Sequence, residues 1–282
     1  MYEGIYHGKT AHSPDLKNVI KRAFDNGLEK IIITGGSLED AQKALEVAKQ
    51  NDRFYSTIGC HPTRAGELEE DSSKYIEQMI KIAKENRDKI VAVGEFGLDY
   101  ERLEFCSKDI QIKNFKAQFE LVDNLKLPLF LHCRAAANDL HEILKTNRDR
   151  FSTGVVHSFD GTYEEAKAFL DLDLFIGLNG CSLRTAENLQ VVEKLPLERI
   201  MLETDAPWCE IKASHASSKF VQTKFDSVKK EKWSENKMIK GRNEPANIVQ
   251  VFEVICKVKN ITDMDSAAQM IYENTEKMFW PK

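Results

Sequence analysis

Apolar positions along the chain follow two alternating patterns. Short, nearly unbroken apolar runs recur, and between them lie stretches in which apolar residues return every three or four positions. The runs are "KIIITGG" (30–36), "FYSTIGCHP" (54–62), "IVAVGEFGLDY" (90–100), "PLFLHCR" (128–134), "GVVHSFDG" (154–161), "LFIGLNG" (174–180) and "RIMLETDAP" (199–207). The stretches of helical period include "SPDLKNVIKRAFDNGLEK" (13–30), "SLEDAQKALEVAKQ" (37–50), "ELEEDSSKYIEQMIKIAKEN" (67–86) and "SKDIQIKNFKAQFELVDNLK" (107–126). Continuous rather than alternating apolarity suits parallel strands covered on both faces. Regular alternation of strand and helix without a linker predicts one α/β domain over residues 1–282. The expected architecture is a TIM (β/α)8-type barrel, of which seven strands are visible.

The helix boundaries carry their own signals. Ser13 with Pro14 predicts the start of the first helix and Gly27 its end, and Ser37 precedes an acidic first turn. A barrel wants a strand before that first helix, yet residues 1–12 contain no apolar run, so the first strand is expected to be missing or disguised.

A chain of 282 residues with 42% hydrophobic and 30% charged residues fits a globular protein with one sizeable core. No apolar run approaches the roughly 20 residues that span a bilayer, and "MYEGIYHGKT" lacks the apolar centre of a secretory signal. Six cysteines without a CxxC pair point to reduced thiols inside a cell, in nucleus or cytoplasm, rather than to a disulfide framework or zinc knuckle. The net charge of −5 provides no global attraction for nucleic acid. Residues 210–242 depart from that average, with eight lysines and one arginine against four acids, as a solvated loop or as a substrate-facing one.

The chemistry gathers where the strands end. Successive runs finish on His61, Glu95 with Asp99, His132 with Arg134, His157 with Asp160, and Glu203 with Asp205. Polar residues at the carboxyl ends of parallel barrel strands converge on one mouth, and a mixed set of imidazoles and carboxylates there is a metal constellation. A single histidine at a strand end is commonly structural, but burying several ionisable groups together without a counterion would be costly. No GxGxxG, GxxxxGK[ST] or GxSxG stands in the chain, so dinucleotide, P-loop and serine-elbow chemistry have no support. Cys60, Cys133 and Cys209 lie near these strand ends and are expected to pack.

In order and context, "GCHP", "GEFGLDY", "LHCR", "VVHSFDG", "ETDAPW" and "RNEP" resemble the motif series of the TatD-type deoxyribonucleases. The likeness runs down to "NTEKMF" near the end, and is nearest to a eukaryotic branch in which "CHPTR", "HSFDGT" and "NGCSL" have similar settings. The resemblance implies a metal-dependent hydrolase on a TIM-barrel scaffold that cuts DNA phosphodiester bonds; the protein is further expected to cut exonucleolytically, as a monomer without membrane contact. It implies metal ligation by Glu95, His132, His157 and Asp205, with Glu95 bridging and Asp205 also binding the attacking water. His61 and Arg134 would face substrate phosphate, and Glu203 would support the shell. It implies Mg2+, one ion or two, whereas two imidazoles among carboxylates suit Zn2+ or Mn2+ by softness. Family members open on a strand ending in an HxH pair or, in the eukaryotic branch, in Asp and Asn. His7 and His12 do not have that spacing. The rival expectations are an amidohydrolase-like C–N or ester hydrolase on the same metal mouth, and an inactive or partner-binding strand-deleted form.

Overall fold

A computed structural model describes residues 1–281 of the chain. The fold is α/β of the TIM-barrel type, with a parallel sheet whose seven strands follow chain order. They are β1 (Ile31–Ile33), β2 (Phe54–Ile58), β3 (Ile90–Asp99), β4 (Leu129–Arg134), β5 (Gly154–Val156), β6 (Phe175–Leu178) and β7 (Ile200–Leu202). Each coincides with one of the seven apolar runs. Before β1 the only strands among the described residues are a small antiparallel pair, Ile5–Tyr6 with Lys9–Thr10.

The chain divides into two compact units. The larger holds residues 30–157 and 161–176 with the C-terminal turns from Tyr272 onward. Here β3 is buried almost along its length, the two-sided burial that its unbroken apolar run predicts. Helices α2 (Leu38–Ala48), α3 (Ser72–Glu85), α4 (Lys108–Ala117) and α5 (Phe119–Leu125) cover the strands. Ser37 caps α2 by accepting the Asp40 amide at 3.1 Å, as its sequence position predicts. Asp71 does the same for α3 through the Lys74 amide at 3.0 Å. Phe96 of β3 packs against Phe115, ring centroids 5.0 Å apart, and Phe115 against Phe119 at 5.5 Å. The single helical period read over 107–126 is broken at Gln118, whose side chain is drawn to the backbone of Cys60.

The smaller unit holds residues 1–29, 158–160 and 177–271. Its first helix, α1, spans Leu16–Asp25, with Asp15 rather than Ser13 at the N-cap and no side-chain cap bond. Asp15 makes no cap bond because both of its carboxylate oxygens are taken by the Arg242 guanidinium at 2.7 Å. Gly27 does end the helix, at φ +87°. Residues 210–242 are mostly irregular, with Lys212, Lys219, Lys224, Lys229, Lys232 and Lys240 exposed. Arg242 is wholly buried instead, which removes it from that basic surface. No helix among the described residues is long and apolar enough to cross a membrane.

Candidate metal centre

The centre of the larger unit is set by an irregularity in β3. Its register against β4 runs Gly94 to Phe130 and then Phe96 to Leu131, so Glu95 is the unpaired residue of a bulge. A bulge re-aims the side chain it carries, and here the carboxylate of Glu95 meets the next strands' imidazoles. Two residues on, a Cβ at Gly97 would lie 2.0 Å from the His132 carbonyl oxygen, and Gly97 has φ +151°. Only glycine allows β3 and β4 to close up there.

Glu95 Oε1 lies 2.7 Å from His132 Nδ1 and 2.7 Å from His157 Nε2, and those two nitrogens are 3.3 Å apart. One ligand atom from each of the three residues falls within 4.8 Å of the others. His132 offers its other nitrogen, Nε2, to Asp99 Oδ2 at 3.1 Å. With Asp99 behind it to accept from Nε2, His132 is left with Nδ1 as the nitrogen that would ligate an ion in place of its proton toward Glu95, the usual support of a ligating imidazole. Phe130 stacks on the His157 ring with centroids 4.8 Å apart and limits its rotation.

His61 joins the same cluster from the end of β2. The Thr63 amide donates to His61 Nδ1 at 3.2 Å, so the neutral ring carries its proton on Nε2, which lies 3.5 Å from Glu95 Oε1. His61, Asp99 and His132 form a second group of three possible ligands. Arg134, at the end of β4, is one-quarter exposed and approaches the exposed Glu101 at 4.0 Å.

The electrostatics follow from burial and neighbours. Burial alone would raise the Glu95 carboxyl, yet His157 and His132 hold it well below the ordinary carboxylate range. Asp99, buried in the same way, is lowered by its hydrogen bond to His132 and by the charges of Arg134 and Arg102. Desolvation pushes His61 down to about 4 against the pull of Glu95. In the metal-free protein the unfolded chain therefore takes up this proton first. The stability contributed by neutral His61 is complete above its unfolded value of roughly 6.5. It is lost as the pH falls toward about 4. His61→Gln is expected to flatten the pH dependence of stability in that window by up to about 1.4 kcal/mol per pH unit. Urea unfolding of both proteins from pH 4 to 7 in chelator measures it, and equal slopes would contradict it.

A carboxylate on β3, an imidazole on β4 and another just after β5, with the β4 imidazole held from behind by Asp99, suit a divalent ion with affinity for nitrogen and oxygen. Two supporting residues escaped the sequence. Gln111 of α4 accepts the Asp99 amide at 2.8 Å and donates to the Asp99 carbonyl at 2.8 Å. Gln118 does the same for Cys60, the residue before His61, at 2.7 and 3.1 Å. Each amide takes the place of a neighbouring strand where the ladder ends. Their signal was present as polar residues on the buried face of an otherwise apolar stripe.

Asp205 and Glu203 belong to the smaller unit, in the turn after β7. Glu203 accepts the amide of Ser158, the residue after His157 in sequence, at 3.2 Å through both oxygens. Asp205 stands exposed at φ +52° and accepts the Cys209 thiol on Oδ2 at 3.2 Å. Asn243 of the "RNEP" segment holds the turn from both sides. Its side-chain amide donates to the Thr204 carbonyl at 2.8 Å and its backbone amide to the Pro207 carbonyl at 2.9 Å.

Comparison with known proteins bears on this geometry. Residues 6–280 match the family model described as TatD related DNase. The chain is similar to "Deoxyribonuclease Tat-D" of Schizosaccharomyces pombe, 42% identical over 98% of this chain and 90% of that one. It is also similar to "3'-5' ssDNA/RNA exonuclease TatD" of Erwinia tasmaniensis, 36% identical over 73% of this chain and 78% of that one. Among solved structures, a hydrolase TatD family protein from Entamoeba histolytica superposes with a TM-score of 0.94 at 39% identity, over all of this chain and 94% of that one.

Proposed function

The chain belongs to the TatD-related DNase family, and from that premise we propose that it is a divalent-metal-dependent deoxyribonuclease that removes nucleotides from the end of a DNA strand. The observation that carries the reading is the Glu95–His132–His157 group, three candidate ligands from three successive strands with their donor atoms within 4.8 Å of one another. Residues 1–282 act as one hydrolase domain and work as a monomer. The free state of all six cysteines supports a reducing compartment, nucleus or cytoplasm.

A phosphodiester resists water because its negative charge repels an incoming nucleophile, and the transition state gathers more charge on oxygen. When bound, a divalent ion supplies a Lewis acid for that charge and lowers the pKa of water. Glu95, His132, His157 and Asp205 are the residues that would hold it. Asp99 keeps the His132 ring in its ligating tautomer, as the hydrogen bond at 3.1 Å supports. Asp205 orients the attacking water and accepts its proton on Oδ1, the carboxylate oxygen that does not take the Cys209 thiol. Arg134 clamps the substrate phosphate with its planar guanidinium, and His61, neutral above about pH 4, donates from Nε2 to a phosphate oxygen. The exposed lysines between 212 and 240 supply local positive charge that the net charge of −5 lacks.

Single-stranded DNA labelled at one end, incubated with the protein and Mg2+, is expected to lose nucleotides stepwise, and chelator is expected to stop the loss. Parallel reactions with Mn2+ and Zn2+, and with RNA of the same sequence, identify the preferred ion and sugar. No nucleotide release with any of the three ions, from protein with intact circular dichroism, would sink the proposal.

A further inference from the structure

Two cysteines that lie 28 positions apart meet in the smaller unit, with Cys181 Sγ 2.9 Å from Cys209 Sγ. Both thiols are free and half-buried. Their backbones are packed against each other as well. A Cβ at Gly180 would lie 2.1 Å from the Cys209 carbonyl oxygen, so a glycine is what lets the segment after β6 approach the one after β7. The pair is asymmetric: the Arg184 guanidinium lies 3.4 Å from Cys181 Sγ, while Cys209 Sγ donates to Asp205 Oδ2 at 3.2 Å.

We propose that Cys181 and Cys209 form an oxidation site, which a peroxide converts into an intramolecular disulfide and a thiol reductant reopens. The cation of Arg184 favours a thiolate at Cys181, and the same positive charge disfavours a bound metal ion between the sulfurs. The hydrogen-bonded contact with Cys209, aided by Arg184, holds the Cys181 thiol below its ordinary value against the upward push of burial. Cys60 and Cys256 lack this setting, for burial pushes Cys60 up to about 12 and Cys256 up to about 11.

The chemistry balances with peroxide as the oxidant. Cys181 sulfur attacks one peroxide oxygen, the O–O bond breaks, and hydroxide leaves as a sulfenic acid forms. Cys209 sulfur then attacks the Cys181 sulfur, the S–O bond breaks, and hydroxide leaves. The two thiol protons convert both hydroxides to water. In sum, two thiols and one hydrogen peroxide give one disulfide and two waters, the sulfurs losing two electrons and the peroxide gaining them.

The test treats the reduced full chain with hydrogen peroxide and reads intact mass and peptide cross-links. The expected result is a loss of two hydrogen masses, a Cys181–Cys209 cross-link, and two of the six thiols no longer alkylated, all reversed by dithiothreitol. Cys209→Ser is expected to stop the reaction at a sulfenic acid on Cys181, trapped by dimedone. Cys181→Ala is expected to form no cross-link while keeping its circular dichroism, which guards against misfolding of the first variant. Oxidation spread over Cys133 and the buried thiols without the cross-link overturns the proposal. A consequence rests on the proposed nuclease reading: closure takes the Cys209 donor from Asp205, so DNA cleavage falls and dithiothreitol restores it. A disulfide with undiminished cleavage supports the oxidation site and counts against Asp205 as the water-binding carboxylate, so the two ideas fail separately.

Discussion

Glu95→Gln is expected to lower DNA cleavage by more than about 100-fold, since loss of a mere outer-shell partner typically costs a metal site 10–100-fold. The fold should survive. The amide is isosteric, and its oxygen can still accept from the imidazoles that now lie 2.7 Å from Glu95 Oε1. The bulge that aims position 95 is a property of the backbone register rather than of the charge. What the amide cannot do is supply the negative charge that two imidazoles and a divalent ion select at that point. The substitution also removes a buried carboxylate, so the metal-free protein is expected to unfold within a few degrees of the parent. Calorimetric titration with Mn2+ should show weaker binding in parallel with the loss of turnover. Parental turnover in a folded Glu95→Gln protein would take Glu95 out of the site. Weak binding with full turnover would separate ligation from chemistry.

What the sequence made legible is what local periodicity and residue type encode. All seven strands are found where the apolar runs lie, because a strand buried on both faces has no room for polar residues until it ends. The same logic exposed Glu95, His132 and His157 as polar residues at strand ends, and the structure brings these three together, although β3 runs on to Asp99 and Glu95 proves to sit at a bulge inside it. The cap at Ser37 was legible because its partner is three residues away. The lack of a cap bond at Asp15 was not, because the competitor for its carboxylate is Arg242, 227 positions along the chain. Cys181 and Cys209 read as scattered thiols for the same reason, since no CxxC spacing announces a pair made by folding. Gln111 and Gln118 were hidden differently: a polar residue on a buried helical face looks like noise until the unpaired backbone it serves is known.

Arg242→Met is expected to cost about 3–5 kcal/mol of stability, the range for removing one partner of a buried ion pair. The Arg242 side chain has no exposed surface, and neither do those of Asp15 and Glu244. Its two terminal nitrogens reach both Asp15 oxygens at 2.7 Å, and one of them reaches Glu244 Oε1 at 3.0 Å. Without the guanidinium, Glu244 keeps Arg22, bound through two nitrogens at 2.8 and 3.0 Å. Asp15 keeps the Trp233 indole N–H at 3.1 Å, a neutral donor facing a buried charge. The penalty is therefore the stranded Asp15 carboxylate rather than a lost attraction as such. It follows that Arg242→Met with Asp15→Leu, which removes both charges and fills the volume, should be more stable than Arg242→Met alone. Urea unfolding of the parent, Arg242→Met, Asp15→Leu and the double variant measures the coupling, and a loss below about 1 kcal/mol for Arg242→Met would refute the account. The network also bears on chemistry, because Asn243, between Arg242 and Glu244, grips the turn that carries Asp205 through Thr204 and Pro207. Loosening that grip should reduce turnover even below the unfolding temperature, whereas a clamp with no part in the site would leave turnover of the folded fraction unchanged.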